Sequence, residues 1–161
     1  MISHLKVGLV LVIAGFFFFA VPDGARAGHM AISGTDDGTR VHIGFVHTRD
    51  MAQRIKHDPE VYGLHAIDGI PTGKHKYHMV VTVFDTATQA RITDARVEAR
   101  IAPLAFGATP VALQAMNTAG AVGYCGFFNL PPHDRYRIEL LIKRRDRARV
   151  VRLRFDHEPP H

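Results

Sequence analysis

Histidine and methionine are the residues of this chain whose side chains could bind a metal ion. Of the 11 histidines, all but His4 follow the apolar N-terminal segment 1–27 (the leader). The same part of the chain contains four methionines: Met30, Met51, Met79 and Met116. Imidazole nitrogen binds copper, iron, nickel and zinc, whereas the soft thioether sulfur of methionine favours Cu(I). A high histidine content is a compositional mark of metal binding. The composition therefore suggests a transition-metal site, for copper first and for iron second.

The densest group of candidate ligands lies at the start of the strand-like segment 75–85. Side chains alternate along a strand, so His75, Tyr77 and Met79 share one face of it and His78 faces the other way. His78 and Met79 could therefore reach one ion only near the start of the strand, where the preceding turn redirects side chains.

Two further ligands could come from other segments. His65 precedes a turn-rich stretch that could fold back beside His78, and Met116 lies in a later strand-loop-strand segment that could pack across the same edge. We predict a site of two imidazoles and one thioether: His65, His78 and Met116, with Met79 and His75 as second-choice ligands. Ordinary roles stay open, because a histidine at a strand start is commonly exposed or hydrogen-bonded, and methionine commonly fills a core.

The sequence contains no arrangement typical of an enzyme, so we predict a non-enzymatic protein. Ser33 is the only serine after the leader, no Gly-x-Ser-x-Gly elbow occurs, and no glycine-rich phosphate loop lies between a strand and a helix. Cys125 is the only cysteine, which excludes an intramolecular disulfide. Its thiol could support redox chemistry or a covalent dimer only if it were exposed.

Residues 1–27 have the features of a cleaved secretory signal. Lys6 precedes an apolar run over 7–21, and Ala25-Arg26-Ala27 is a small-x-small cleavage site. The run of about 15 residues is shorter than the ~20 that a membrane-spanning helix needs. We therefore predict a periplasmic or secreted protein that begins at Gly28, with an uncleaved N-terminal anchor as the alternative.

Hydrophobic alternation after the leader predicts about seven short strands and one helix. The strands are expected at 41–46, 77–84, 97–101, 111–116, 124–130, 136–142 and 151–155. Thr48 is a typical N-cap for a helix over 49–57, which Asp58-Pro59 would end. This pattern favours an all-β, antiparallel immunoglobulin-like β-sandwich, with a small β-barrel as the alternative. We expect one domain over 41–156, a flexible arm over 28–40 and a frayed tail over 157–161.

Basic residues are concentrated near the C-terminus, in the segment 143–154. Without Lys6, Arg26 and Asp23 of the leader, the chain has 18 Lys and Arg against 14 Asp and Glu, so the excess is modest. An exported protein is not expected to meet nucleic acid. The simplest interpretation of 143–154 is a charged hairpin. The alternative function is a metal-free envelope module that docks on an acidic protein or an anionic membrane surface through Arg144, Arg145, Arg147, Arg149, Arg152 and Arg154.

The segment 64–85, LHAIDGIPTGKHKYHMVVTVFD, is followed by ITDARV over 92–97. It resembles the Y-H-x-V-x-V-x-D strand and the D-A-x-V stretch of small exported β-sandwich proteins that handle copper or iron. A methionine-containing stretch and a tyrosine-rich strand follow in that group, as Met116 and the segment 124–128 (YCGFF) do here.

That resemblance covers residues 64–142. It implies an immunoglobulin-like fold and a metal site near His65, His78 and Met116. The chain departs from the group at Leu64, where a ligand methionine is expected before the first histidine.

Overall fold

Two antiparallel β-sheets and one helix form the part of the chain that the computed structural model describes, residues 31–57, 69–104, 108–118, 120–132 and 135–159. The elements are β1 (Ala31–Asp36), β2 (Thr39–His47), α1 (Thr48–His57), β3 (Lys76–Asp85), β4 (Arg96–Pro103), β5 (Val111–Ala112), β6 (Gln114–Thr118), β7 (Ala121–Asn129), β8 (Tyr136–Lys143) and β9 (Val150–His157). Sheet A has the strand order β1-β2-β3-β7-β6, and sheet B has the order β5-β4-β8-β9. The predicted antiparallel β-sandwich is confirmed, and the described strands form two separate sheets rather than the closed barrel considered as the alternative.

Alternation along the long strands places every second side chain between the two sheets, where they form one core. The most deeply buried members are Val41, Ile43, Met79, Val81, Val83, Val97, Ala99, Tyr124, Leu130, Ile138, Leu140, Ile142 and Val151. Burial of one large apolar side chain contributes about 1.5–3 kcal/mol. Packing between the sheets can therefore hold this domain without a disulfide.

Most of the segment 28–40, predicted as a flexible arm, belongs instead to a β-hairpin. β1 pairs with β2 along its whole length, and the two-residue turn at Asp37 and Gly38 has φ values of 45° and 68°. Positive φ at both positions is the geometry of a tight hairpin turn, for which Asp-Gly is a preferred sequence. At Gly34 a Cβ would lie 2.7 Å from the Phe155 ring, so any larger residue there would have to displace that ring where β1 of sheet A approaches β9 of sheet B.

The single strand predicted over 111–116 is divided between the two sheets. β5 pairs with β4 in sheet B, and β6 pairs with β7 in sheet A. The switch occurs at Leu113, whose side chain is buried and whose N–H donates to the carbonyl oxygen of Val97 over 2.8 Å. Alternation alone cannot reveal such a switch, because it does not specify the strand with which each half pairs.

The chain does not fray at 157, where the tail was predicted to begin. His157 is the last residue of β9, pairs with Tyr136 and is buried, and Pro159 is buried as well. Outside the described residues lie the leader 1–27, the expected helix stop Asp58-Pro59 and the last two residues of the tail. In the part of the chain that is described, no helix has the length and apolar character needed to cross a membrane.

Tyr124 of β7 connects the core to the link between β3 and β4. Its ring is buried, its hydroxyl donates to the carbonyl oxygen of Ile92 over 3.1 Å, and the same hydroxyl accepts from the N–H of Ala95 over 2.9 Å. That link carries the chain from sheet A to sheet B. One phenol group therefore satisfies two backbone groups at the crossing between the sheets.

Replacement of Tyr124 by phenylalanine should lower the free energy of unfolding by about 1–3 kcal/mol, because the N–H of Ala95 and the carbonyl of Ile92 lose their partner inside the domain. The measurement is urea unfolding followed by circular dichroism. The control is Tyr77→Phe, at a half-buried tyrosine of β3. Equal losses in both variants would contradict a special role for the Tyr124 hydroxyl.

An arginine and two carboxylates close one end of the sandwich. The Arg144 side chain is only 4% exposed and donates to Asp85 over 2.9 Å and to Asp146 over 2.8 Å. It also donates to the hydroxyl of Thr39 over 3.2 Å and to the carbonyl oxygen of Gly38 over 3.3 Å. The β1–β2 turn, the end of β3 and the β8–β9 turn are thereby joined at one cation. We call this the arginine end.

Asp85 contributes to the same end through both of its oxygens. One oxygen accepts from the N–H groups of Ala87 and Thr88, each over 3.0 Å, and the other accepts from Arg144. The Thr88 N–H and the Arg144 guanidinium favour the charged carboxylate, and they hold the pKa of Asp85 well below its usual range. The carboxylate therefore stays ionised at any pH at which the protein would function.

The arginine end corrects the predicted docking set at Arg144 and Arg147. Arg144 is buried in its ion pairs, and Arg147 donates to the carbonyl oxygen of Asp37 over 3.2 Å and lies 3.7 Å from the Asp37 carboxylate. Both side chains face inward contacts because the β8–β9 turn folds over the β1–β2 turn. The buried Arg144 side chain cannot contact a docking partner, and the Arg147 side chain binds mainly within the domain.

Replacement of Arg144 by alanine should lower the free energy of unfolding by about 3 kcal/mol, because it leaves buried polar groups without their cation. The matched control is Arg145→Ala, the next residue, whose side chain is 81% exposed. That change should stay within about 0.5 kcal/mol of the parent. Chemical unfolding of the two variants measures the difference, and similar losses would refute the structural role of Arg144.

Candidate functional site

Four histidines lie at the end of the sandwich opposite the arginine end. His47 is the last residue of β2, His157 is the last residue of β9, His75 directly precedes β3, and His78 is its third residue. The ends of β2 and β9 meet here, because the His157 ring stacks on Phe45 with ring centroids 4.5 Å apart and an 11° angle between the ring planes. We call this the histidine end. It is where the structure concentrates candidate metal donors.

His78 and Met79 occupy opposite faces of β3, as the alternation predicted. Met79 is fully buried between the sheets, whereas His78 is buried on the outer face of sheet A. His78 is in regular register with Val46 and Phe127, and its ring centroid lies 5.0 Å from that of Phe127. The turn before β3 therefore does not redirect His78, and these two neighbours cannot share one ion from these positions.

Met116 is on the same outer face as His78 but is distant from it. Met116 pairs with Gly123, where a Cβ would lie 3.1 Å from the Val80 side chain on that face. His78 pairs with Phe127, four residues further along β7. Four residues span roughly 13 Å of strand, and β7 itself lies between β3 and β6. The structure does not bring Met116 to His78.

The remaining predicted ligands are His75 and His65. His75 is half-buried, its carbonyl oxygen accepts from the N–H of Leu130 over 2.8 Å, and alternation places it on the side of Tyr77, towards the space between the sheets. His65 lies outside the described residues. The assignment of His65, His75, His78, Met79 and Met116 as ligands therefore stays a prediction. Among the described histidines of this set, His75 is the one on the inner side of the histidine end.

Both ring nitrogens of His47 form hydrogen bonds within the domain. Its Nδ1 accepts from the N–H of Arg49 over 3.1 Å, and its Nε2 donates to the carbonyl oxygen of Lys74 over 2.8 Å. This pair of bonds assigns the proton to Nε2, and both ring nitrogens are used. His47 thus links β2, the first turn of α1 and the segment before β3, and it offers no donor to a metal.

His157 is the candidate donor that the sequence prediction missed. Only 5% of the residue is exposed, its Nδ1 is buried without a hydrogen-bond partner, and burial lowers the pKa of the imidazole. A signal did exist, because His157 continues the inward-facing series of Val151, Leu153 and Phe155. The prediction of a frayed tail hid it.

The donor set at the histidine end is partial within the described residues. No group of three or more His, Cys, Asp or Glu side chains close enough to hold a metal ion occurs in the ranges given above. What the end does offer is one buried imidazole nitrogen on His157 and the half-buried imidazole of His75. Imidazole suits copper and iron, so the donors present fit the predicted metals in type.

Cys125 does not supply a reactive thiol. It is 2% exposed, and burial raises the pKa of its thiol to about 11. The thiol is therefore protonated at neutral pH, which makes it a poor nucleophile and a poor metal ligand. The exposure that redox chemistry or a covalent dimer would need is not met.

The free energy of unfolding should fall as the pH drops below about 6.5, because the unfolded chain protonates His157 while the buried imidazole resists protonation. One such group adds a slope of up to about 1.4 kcal/mol per pH unit, which continues down to its lowered pKa. Urea unfolding between neutral and mildly acidic pH measures the slope.

The variant His157→Phe keeps an aromatic ring on Phe45 and removes the titrating group, so it should show a smaller slope over that interval. His42→Phe, at an exposed histidine within β2, is the control and should keep the parent slope. An unchanged slope in His157→Phe would show that His157 is not the source.

Neither a protein-family model nor a curated protein matches the chain. Solved structures share its fold. A DUF4426 family protein from Pseudomonas aeruginosa PAO1 is 12% identical with a TM-score of 0.59, over 80% of this chain and 94% of that one. FetP of uropathogenic Escherichia coli strain F11, expressed recombinantly in the periplasm, is 7% identical with a TM-score of 0.60, over 81% and 94%.

A copper-bound variant of the same FetP is 10% identical with a TM-score of 0.58, over 81% of this chain and 95% of that one. At these identities the likeness establishes the β-sandwich fold and nothing finer. The resemblance inferred from residues 64–142 is matched in fold, and one of the proteins sharing that fold is copper-bound.

Proposed function

We propose that this chain is an exported, non-enzymatic protein that binds a transition-metal ion at its histidine end, copper more readily than iron, and acts as a metal carrier or accessory factor. The observation that carries the proposal is the buried, unpartnered Nδ1 of His157. The predicted leader 1–27 supports export.

A buried imidazole nitrogen without a partner costs free energy, about 1–3 kcal/mol for a lost hydrogen bond. Such a cost is offset when the nitrogen coordinates a metal ion. Burial also lowers the pKa of His157, which keeps the imidazole neutral, and neutral imidazole is the form that binds metals. The His157 side chain is thus in the protonation state that a ligand requires.

The first proposed ligand is His157, and His75, which alternation places on the same inner side of the histidine end, is the second. His65 is retained as a predicted ligand and is tested separately. His78 and Met116 are on the outer face of sheet A, and Met79 is sealed in the core. Alternation therefore ranks them below His157 and His75.

Copper is placed first for two reasons. Ten histidines and four methionines follow the leader, and both side chains bind copper. A protein with the same fold is copper-bound. Fold alone does not transfer function, so the metal is argued from the donors and supported by that likeness.

A carrier is favoured over an enzyme because two groups that an enzyme could use are held by the fold. The Cys125 thiol is buried and protonated, and the Asp85 carboxylate is held by Arg144 and the turn that follows it. Both groups are largely shielded from solvent.

The test is calorimetric titration of the chain from Gly28 onward with Cu(II), Cu(I) and Fe(II). One-to-one binding is expected, with copper bound more tightly than iron. His157→Phe and His75→Ala should each weaken it by more than about tenfold, since loss of even an outer-shell partner costs about 10- to 100-fold. His42→Phe should bind as the parent does.

The double variant His65→Ala/His78→Ala tests the ligands predicted from the sequence. Loss of binding there with full binding in His157→Phe would move the site away from His157. Weak, multi-site binding that no variant alters would refute the carrier proposal. Circular dichroism of each variant separates loss of a ligand from loss of the fold.

A further inference from the structure

The outer face of sheet B carries a surplus of positive charge that metal binding does not use. Alternation along β4, β8 and β9 turns six basic side chains outward: Arg96, Arg100, Arg137, Lys143, Arg152 and Arg154. Three acidic side chains, Glu98, Glu139 and Asp156, face the same way. We call this surface the arginine face.

Glu139 contacts three arginines of the arginine face. Its carboxylate is 11% exposed and lies 3.3 Å from Arg100 of β4, 3.1 Å from Arg154 of β9 and 3.5 Å from Arg152 of β9. One negative charge balances only one of the three cations. The three guanidinium groups are therefore held in place while two of their three positive charges remain unbalanced by Glu139, and positioning in advance lowers the entropy cost of binding.

We propose that the arginine face binds the surface of an anionic phospholipid bilayer. The apolar residues that face outward on its strands are Ala102, Leu141 and Val150, and no aromatic side chain of those strands points outward. Interfaces with proteins are usually centred on aromatic and apolar anchors. An anionic bilayer needs only basic side chains near its surface, and the planar guanidinium matches phosphate oxygens in a bidentate geometry.

This proposal changes the predicted set of docking residues and names one partner, an anionic bilayer. Arg152 and Arg154 remain in it, and Arg144 and Arg147 belong to the arginine end. Arg145 and Arg149 lie in the β8–β9 turn, outside the arginine face. Arg96, Arg100, Arg137 and Lys143 are added. The register of β4, β8 and β9 supplies this change, because Arg100 and Arg154 both pair with Glu139. The inference does not depend on metal binding at the histidine end.

The experiment is co-sedimentation of the chain from Gly28 onward with vesicles. Phosphatidylcholine mixed with phosphatidylglycerol is compared with pure phosphatidylcholine, at low and at physiological salt. Binding to the mixed vesicles alone is expected, with weaker binding as salt screens the charges. The double variant Arg152→Gln/Arg154→Gln should bind about 25-fold more weakly, because each basic residue near an anionic surface contributes about fivefold.

The matched control is Arg49→Gln/Lys56→Gln, which removes the same charge from exposed positions on α1, a helix that packs against sheet A. It should bind the mixed vesicles nearly as the parent does. A second variant, Arg96→Gln/Arg137→Gln, lies on the arginine face without touching Glu139 and should weaken binding as much as the first. Thermal unfolding confirms that each variant is folded.

Three results would overturn the proposal. The first is no binding to the mixed vesicles at low salt. The second is equal weakening in the α1 control, which would mean that net charge rather than this face decides binding. The third is binding to poly-glutamate without binding to vesicles, which would assign the face to an acidic protein.

Discussion

The pleat of the β-strand, which turns successive side chains to opposite faces of a sheet, decides where each chemically active residue of this chain can act. It separates His78 from Met79 although they are neighbours in sequence, and it carries His157 inward at the end of a series of core residues. The same constraint sends Arg152 and Arg154 outward to Glu139. Core, candidate metal donor and charged face all follow from one repeat of two residues.

The two ends of the sandwich differ in whether their buried polar groups have hydrogen-bond partners. At the arginine end the buried cation, Arg144, meets two carboxylates, one hydroxyl oxygen and one backbone oxygen that compensate it. At the histidine end the buried Nδ1 of His157 has no partner. Buried polar groups in folded proteins are almost always satisfied. The contrast explains why the first end stabilises the fold and why the second is the place to look for a ligand.

Much of the fold follows from local patterns, while the candidate site does not. The strand around Val81 and the helix from Thr48 occur close to their predicted positions, because each depends on residues near it in sequence. The sequence prediction included His78 and Met116 in one ligand set, on the basis of composition and resemblance. Their separation depends on β7 lying between β3 and β6, a pairing that no local pattern encodes.

The sequence by itself determined the fold class, the position of most strands and the helix, and the histidine-rich composition, because hydrophobic periodicity and residue type are local properties. Only the tertiary structure decided which strands pair and which side chains meet. It placed β1 on β2, divided the strand at Leu113, buried Arg144 under the first hairpin and stacked His157 on Phe45. These contacts join residues far apart in the chain, and they form because two separate sheets must bury their inner faces against each other.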